Sequence, residues 1–266
     1  MDILKRDAAP ITQKAWNEID DTARDVLLSL LTARRSVHME GPKGMNYNAV
    51  PEGRVKVLTK NKSGVGVAKY NVFPLLELRN DFSLQKWELD NIERGCKDID
   101  LSNLEKAVEE IALLEEDIIY NGYKDEIKGL SSVAGHTVKL SGNSAGEILK
   151  AIGEAKYKLT HSYVKAPFNL IVSQKLYEQL LVVENGVRLL DMVQKLIEGK
   201  VFYTSMVKDG LMFPQKHEDL ELTIGQDFAI GYQSEDQNTV NMYVTESLYF
   251  RVLDPDIIVS LKMNTK

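Results

Sequence analysis

The sequence predicts an α+β fold in which helices are segregated from a late run of strands. Three observations predict it. Apolar residues recur at helical spacing over 12–35 and again over 102–122, apolar and basic residues alternate between 53 and 72, and from Asp219 onward the pattern is almost purely β. With 266 residues and 44% apolar content, the chain can bury a core as one large domain or two modest ones.

In chain order, residues 12–35 read as an amphipathic helix capped by Thr12, with Trp16, Ile19, Ala23, Val26, Leu27, Leu30 and Leu31 forming one broad apolar stripe. Glu40-Gly41-Pro42-Lys43-Gly44 breaks it. Val55, Val57, Val65, Val67 and Tyr70, interleaved with lysines around an Asn61-Lys62-Ser63-Gly64 turn, predict a hairpin. A lone hairpin is marginal in water, so its expected support is a neighbouring subunit. Phe73–Leu78 reads as an apolar strand. Ser102 and Glu105 read as a capping box opening a helix of about five turns, which Gly122 stops.

Beyond it come a strand at Thr137–Leu140, a helix at Ser144–Leu159 and a strand at Pro167–Val172. Helices follow at Gln174–Val183 and Leu189–Ile197, separated by a Glu184-Asn185-Gly186 turn, and then a strand at Val201–Met206. The final strands are expected at 220–224, 227–232, 240–252 and 257–261.

Bulk chemistry excludes several functions. A net charge of −6 offers no electrostatic footing for nucleic acid. A single cysteine, Cys96, permits no intrachain disulfide and suits a reducing cytoplasm. No signal-like apolar run opens the sequence and no window approaches a membrane span, so a soluble chain with no membrane partner is expected.

Catalytic motifs are weak. Gly142-Asn143-Ser144-Ala145-Gly146 matches a nucleophile elbow, and Asp191 and His217 follow in hydrolase order. The better reading makes Ser144 a helix cap paired with Glu147. His38, His136, His161 and His217 are too scattered for a metal motif, and Gly64-Val65-Gly66 lacks the rest of a dinucleotide fingerprint. Neither cofactor nor catalytic residue is expected. Glu115-Glu116-Asp117 reads as a solvated face or a subunit contact. Trp87 reads as packing or an interface anchor ahead of a stacking platform for a planar ligand.

Several segments carry a family likeness: Leu4-Lys5-Arg6 with Ala9-Pro10, Glu40-Gly41-Pro42, Leu76-Glu77-Leu78-Arg79, Trp87 through Gly95, Asp100-Leu101-Ser102, and Gly225 through Tyr232. In these the sequence resembles the encapsulins, shell proteins of prokaryotic nanocompartments. The resemblance implies the fold of tailed-phage major capsid proteins. It divides the chain into a peripheral domain (1–52, 73–132 and 222–266), an extended loop (53–72) and an axial domain (133–221). It also implies an icosahedral homo-oligomer in a multiple of sixty subunits, with Glu184, Asn185, Gly186 and Val187 near a five-fold pore. A cargo enzyme, a ferritin-like iron oxidase or a peroxidase, would dock its C-terminal peptide on the inner wall at Leu27, Leu31, Arg34, Phe228 and Ile230, with Arg34 as polar anchor. The sequence departs from the family at His38, where an acidic residue is usual, which implies a different peptide or some pH dependence. A domesticated prophage capsid protein is the structural alternative and a Ser144 hydrolase the enzymatic one.

Overall fold

The computed structural model describes residues 3–60, 64–142, 144–184 and 186–263. Helix α1 (Gln13–Leu30) and a single turn, α2 (Ala33–Ser36), replace the one helix expected over 12–35. Thr12 does cap α1, its hydroxyl accepting the Ala15 N–H at 3.1 Å. The break at Leu31-Thr32 is invisible in the apolar spacing, which runs on through it.

The short β1 (His38–Glu40) leads into the ribbon of β2 (Ala49–Lys60) and β3 (Gly66–Pro74). The ribbon is antiparallel, longer than the expected 53–72, and irregular in register between Pro51 and Val55 and between Val57 and Thr59. Most of the expected turn, Asn61 to Ser63, lies outside the described residues. Phe73-Pro74 closes the ribbon, so the strand expected at 73–78 is divided, and β4 (Leu76–Gln85) begins anew. It feeds α3 (Lys86–Arg94), which ends on left-handed Gly95.

The long helix is α4 (Ser102–Asn121). Its start is a correction: Ser102 is already helical, and its N–H donates to Asp100 Oδ1 at 3.1 Å. The Ser102 hydroxyl, with that N–H, holds the Asp100 carboxyl below its usual range. Gly122 does stop the helix at φ +95°, and a Cβ there would meet the Ile127 carbonyl oxygen at 2.6 Å.

The remaining elements are β5 (Gly122–Tyr123), β6 (Ile127–Lys128), α5 (Leu130–Val133), β7 (His136–Leu140), α6 (Ala145–His161), β8 (Phe168–Val172), α7 (Gln174–Leu180), β9 (Val183–Glu184), β10 (Val187–Arg188), α8 (Leu189–Ile197), β11 (Val201–Tyr203), β12 (Gly210–Pro214), β13 (Leu220–Ile224), β14 (Ala229–Glu235), β15 (Thr239–Val252) and β16 (Val259–Met263). Strands and helices mix as an α+β fold.

The chain forms two compact units, one of Met1–Arg24, Glu40–Ile111 and Thr223–Tyr249, the other of Asp25–Met39, Ala112–Leu222 and Phe250–Lys266. In the first, long β15 is the spine of a sheet, pairing antiparallel with β14 and with β4 over ten residues from Gln85 to Leu76. Full order in that sheet is β1-β13-β15-β14, with β4 also on β15. The first unit buries Ala15, Trp16, Ile19 and Ala23 of α1, and Arg6 lies 3.9 Å over the Trp16 ring while binding Asp20. The second unit holds a sheet ordered β11-β8-β12-β16-β7. Its centre is β12, a strand absent from the sequence reading. All five residues of β12 are buried, and it runs antiparallel to both β8 and β16. Helix α6 covers β7 and β16, and its apolar residues Ile148, Ile152, Ala155 and Leu159 are fully buried.

Candidate functional site

The second unit contains a polar knot where α1 gives way to α2. Two adjacent carboxylates of α4, Glu115 and Glu116, have no exposed surface. This corrects the reading of Glu115-Glu116-Asp117 as a solvated face: Ala112, Ile118, Ile119 and Tyr120 are equally buried, so this half of α4 is enclosed on most sides.

A buried carboxylate is costly unless paired or well hydrogen-bonded. Glu115 is paired with Arg34, whose Nε lies 2.9 and 3.0 Å from its two oxygens and whose Nη2 lies 2.9 Å from Oε2. Glu116 instead accepts the Ala33 N–H at 2.7 Å and the Thr32 hydroxyl at 2.5 Å, with Thr204 Oγ1 at 3.5 Å. Tyr120 Oη completes the knot 2.8 Å from Thr32 Oγ1. Burial pushes the Glu116 carboxyl up to about 7, against the hydrogen bonds from Thr32 and Ala33 and with the neighbouring Glu115 charge adding to the rise. The Tyr120 hydroxyl is raised for the same first reason.

The expected docking residues divide between the units. Leu27, Leu31, Arg34 and His38 belong to the second, Phe228 and Ile230 to the first. Leu27 and His38 are half-buried; Leu31 is buried. Arg34 is already committed to Glu115. In the first unit Phe228 is half-buried, whereas Ile230, opposite Val244 in the β14–β15 register, is 4% exposed and belongs to the core.

At the β9–β10 turn, Glu184, Gly186 and Val187 are exposed, and Gly186 has φ +81°. Asn185 lies outside the described residues. Leu181, Val182 and Val183 just before the turn are exposed too. Contiguous exposed apolar residues mark an interaction surface. The ribbon shows the same property on a larger scale: Val57 is 68% and Tyr70 76% exposed, with Val55, Leu58, Val65, Val67 and Val72 open as well.

The hydrolase residues find other work. Ser144 donates its hydroxyl to Glu147 Oε2 at 2.6 Å and accepts the Glu147 N–H, a complete capping box. That pairing holds the Glu147 carboxyl below its usual range. Asp191 binds Arg188 at 3.0 Å, and His217 Nδ1 accepts the Asp219 N–H at 3.2 Å. Each partner lies within three residues in sequence, so the three groups serve local turns. We expect Ser144→Ala to cost about 1 kcal/mol in denaturant unfolding, the usual worth of an N-cap. Ester hydrolysis lost with that substitution would instead restore the enzyme reading.

Trp87 is 69% exposed with the Arg94 guanidinium 5.4 Å from its ring, which removes core packing as its role. Among the described residues no group of three or more His, Cys, Asp or Glu side chains is placed to hold a metal ion. The knot at Thr32, Glu115 and Glu116 escaped sequence reasoning; the acids at 115 and 116 look no different in the sequence from the exposed Glu105, Glu109 and Glu110 earlier on α4.

Comparison with known proteins agrees with this architecture. Residues 1–249 match the family model described as an encapsulating protein for peroxidase. A type 1 encapsulin shell protein of Rhodospirillum rubrum is 34% identical, over 98% of this chain and 97% of that protein. One from Mycolicibacterium paratuberculosis is 30% identical over 94% and 95%. Among solved structures, the virus-like particle from Pyrococcus furiosus superposes with a TM-score of 0.68 at 20% identity, covering 92% of this chain and 98% of that one. The capsid of Myoviridae phage XM1 gives 0.61 at 12% identity, covering 88% and 92%. The fold is therefore that of tailed-phage capsid proteins, and the chain belongs to the encapsulin shell protein family.

Proposed function

We propose that this chain is the structural subunit of a closed icosahedral nanocompartment, built from a multiple of sixty copies, and that it encloses a cargo enzyme. The observation that carries the reading is the end-to-end similarity to encapsulin shell proteins combined with a capsid fold that leaves an apolar ribbon open to solvent. Identical contacts repeated around closed symmetry leave no free edge, so modest interfaces sum to a stable wall. In this reading residues 1–52, 73–132 and 222–266 act as the peripheral domain, 53–72 as the extended loop and 133–221 as the axial domain. The β9–β10 turn with Glu184, Gly186 and Val187 lines a five-fold pore, where width and charge select what passes.

The compartment is cytoplasmic, and its cargo is a ferritin-like iron oxidase or a peroxidase serving iron storage or defence against oxidative stress. The cargo's C-terminal peptide docks on the inner wall, with half-buried Phe228 as an apolar anchor. Sixty copies of a 30.0 kDa chain weigh about 1.8 MDa. Size-exclusion chromatography with electron microscopy tests the assembly: hollow particles are expected, and a species that stays monomeric or dimeric defeats the proposal.

Docking needs a separate test. Ile230→Asp is unsuitable because it buries a charge in the core, so we choose half-buried Phe228. Phe228→Asp is expected to leave particle size unchanged and to lower co-purified cargo about tenfold or more, the effect of losing one apolar anchor. Undiminished cargo in intact particles would remove Phe228 from the docking surface.

A further inference from the structure

The Glu116 knot does more than fill space. The chain between α1 and α2 loses helical continuity at Leu31-Thr32, and its backbone is recaptured by a side chain from 83 residues away, the Glu116 carboxylate accepting the Ala33 N–H. The Thr32 hydroxyl reaches the same carboxylate, and the Ser36 hydroxyl turns back to the Thr32 carbonyl at 2.8 Å. One residue earlier on α4, Glu115 holds Arg34. The joint is thus fastened to α4 by two neighbouring acids.

Charge around the pair is unequal. From α2, Arg34 faces Glu115. Arg35 directs its Nε to the Leu31 carbonyl at 3.0 Å and lies 5.2 Å from the Phe202 ring, where its charge is felt by Tyr120. From α4 itself come Glu115 and Tyr120; from the segment after β11 comes the neutral Thr204. Two buried acids therefore share one guanidinium at bonding distance. Glu116 is held by hydroxyl and amide donors.

We propose that Glu116 is a proton-operated latch on the α1–α2 joint: neutral, it keeps residues 32–36 closed against α4, and ionised, it favours their release into water. The sign follows from linkage. Glu116 is raised to about 7 when enclosed and returns to 4.5 when hydrated, so opening releases a proton and is promoted as pH rises between those values. Below 4.5 the latch is fully shut. Above about 7 the opening constant levels off. Because Leu27, Leu31, Arg34 and His38 flank the joint, the docking wall inherits this pH response; that consequence rests on the proposed function, whereas the latch rests on the joint alone.

Hydrogen exchange of the intact assembled protein, followed by mass spectrometry from pH 5 to 8 and corrected for intrinsic rates, separates the two. Protection across residues 31–37 is expected to fall by up to about tenfold per pH unit between 5 and 7, then level, while α6 stays flat. Glu116→Gln, which keeps an acceptor for Ala33 without the titration, is expected to abolish the slope. A slope at 31–37 no steeper than that of α6 overturns the latch, as does the same slope in Glu116→Gln. Should that variant not fold, the wild-type comparison of 31–37 with α6 still decides. None of these readouts needs cargo, so a failed docking experiment leaves the latch standing.

Discussion

Arg34→Ala is expected to destabilise the protein by about 3–5 kcal/mol, because it leaves the Glu115 carboxylate buried without its counter-ion. The pair is tight and enclosed: the Arg34 side chain keeps 13% of its surface and Glu115 none. In a chain of this size the loss corresponds to a fall of roughly 10 °C in melting temperature, measured at matched protein concentration because assembly itself stabilises. Two controls isolate the cause. Adding Glu115→Gln to the Arg34→Ala background removes the stranded charge and is expected to restore more than half of the loss. Arg34→Lys supplies charge but not the fork that places Nε and Nη2 on two oxygens, so it is expected to fall between. If Arg34→Ala melts within about 2 °C of wild type, the pair contributes nothing measurable and the account of the joint is wrong. This also sharpens the family expectation of Arg34 as a polar anchor for cargo. A side chain already bound to Glu115 is committed within the fold, so a drop in cargo loading on its removal would not by itself assign it to docking.

Elements whose identity rests on local periodicity were legible in the sequence. The stripe of Trp16, Ile19 and Ala23, the long α4 and the Ser144–Glu147 box all appear as their spacing predicts. What escaped depends on partners distant in the chain. β12 is a continuous apolar run, Leu211-Met212-Phe213, between Gly210 and Pro214; without alternation, only its two flanking strands define it. The joint at Thr32 was hidden because the apolar stripe continues through it, while its cause lies on α4. Glu115 and Glu116 look like surface acids by residue type, and become interior only through Arg34, Thr32 and Ala33. The start of α4 is a smaller slip: Ser102 reads as the cap, yet lies inside the helix with its N–H on Asp100. For the docking residues, helical spacing could not separate half-buried Leu27 from buried Leu31. Nor could a strand pattern foretell that Ile230 faces inward beside Val244.

Substituting the ribbon is expected to produce the largest change of state while leaving the subunit's own stability nearly untouched. Val57 and Tyr70 lie on opposite strands, opposite Ala68 and Val55, and both are mostly solvent-exposed. Val57→Asp with Tyr70→Asp therefore removes no core contact. Surface changes of this kind shift stability by about 0.5 kcal/mol or less. A two-stranded ribbon also lacks the sheet or helix that would bury its apolar side chains within the same chain. In the proposed assembly a neighbouring subunit covers its exposed valines and tyrosine, and a carboxylate in that contact must be desolvated without a partner. Because every subunit repeats the contact around a closed shell, a loss that is modest once is multiplied until no shell closes. The expected result is an unchanged far-UV spectrum, with the assembled particle replaced by free chains or small oligomers on size-exclusion chromatography. Particles of wild-type size and yield from the double variant would place assembly elsewhere on the chain and leave the ribbon's open apolar surface without a cause.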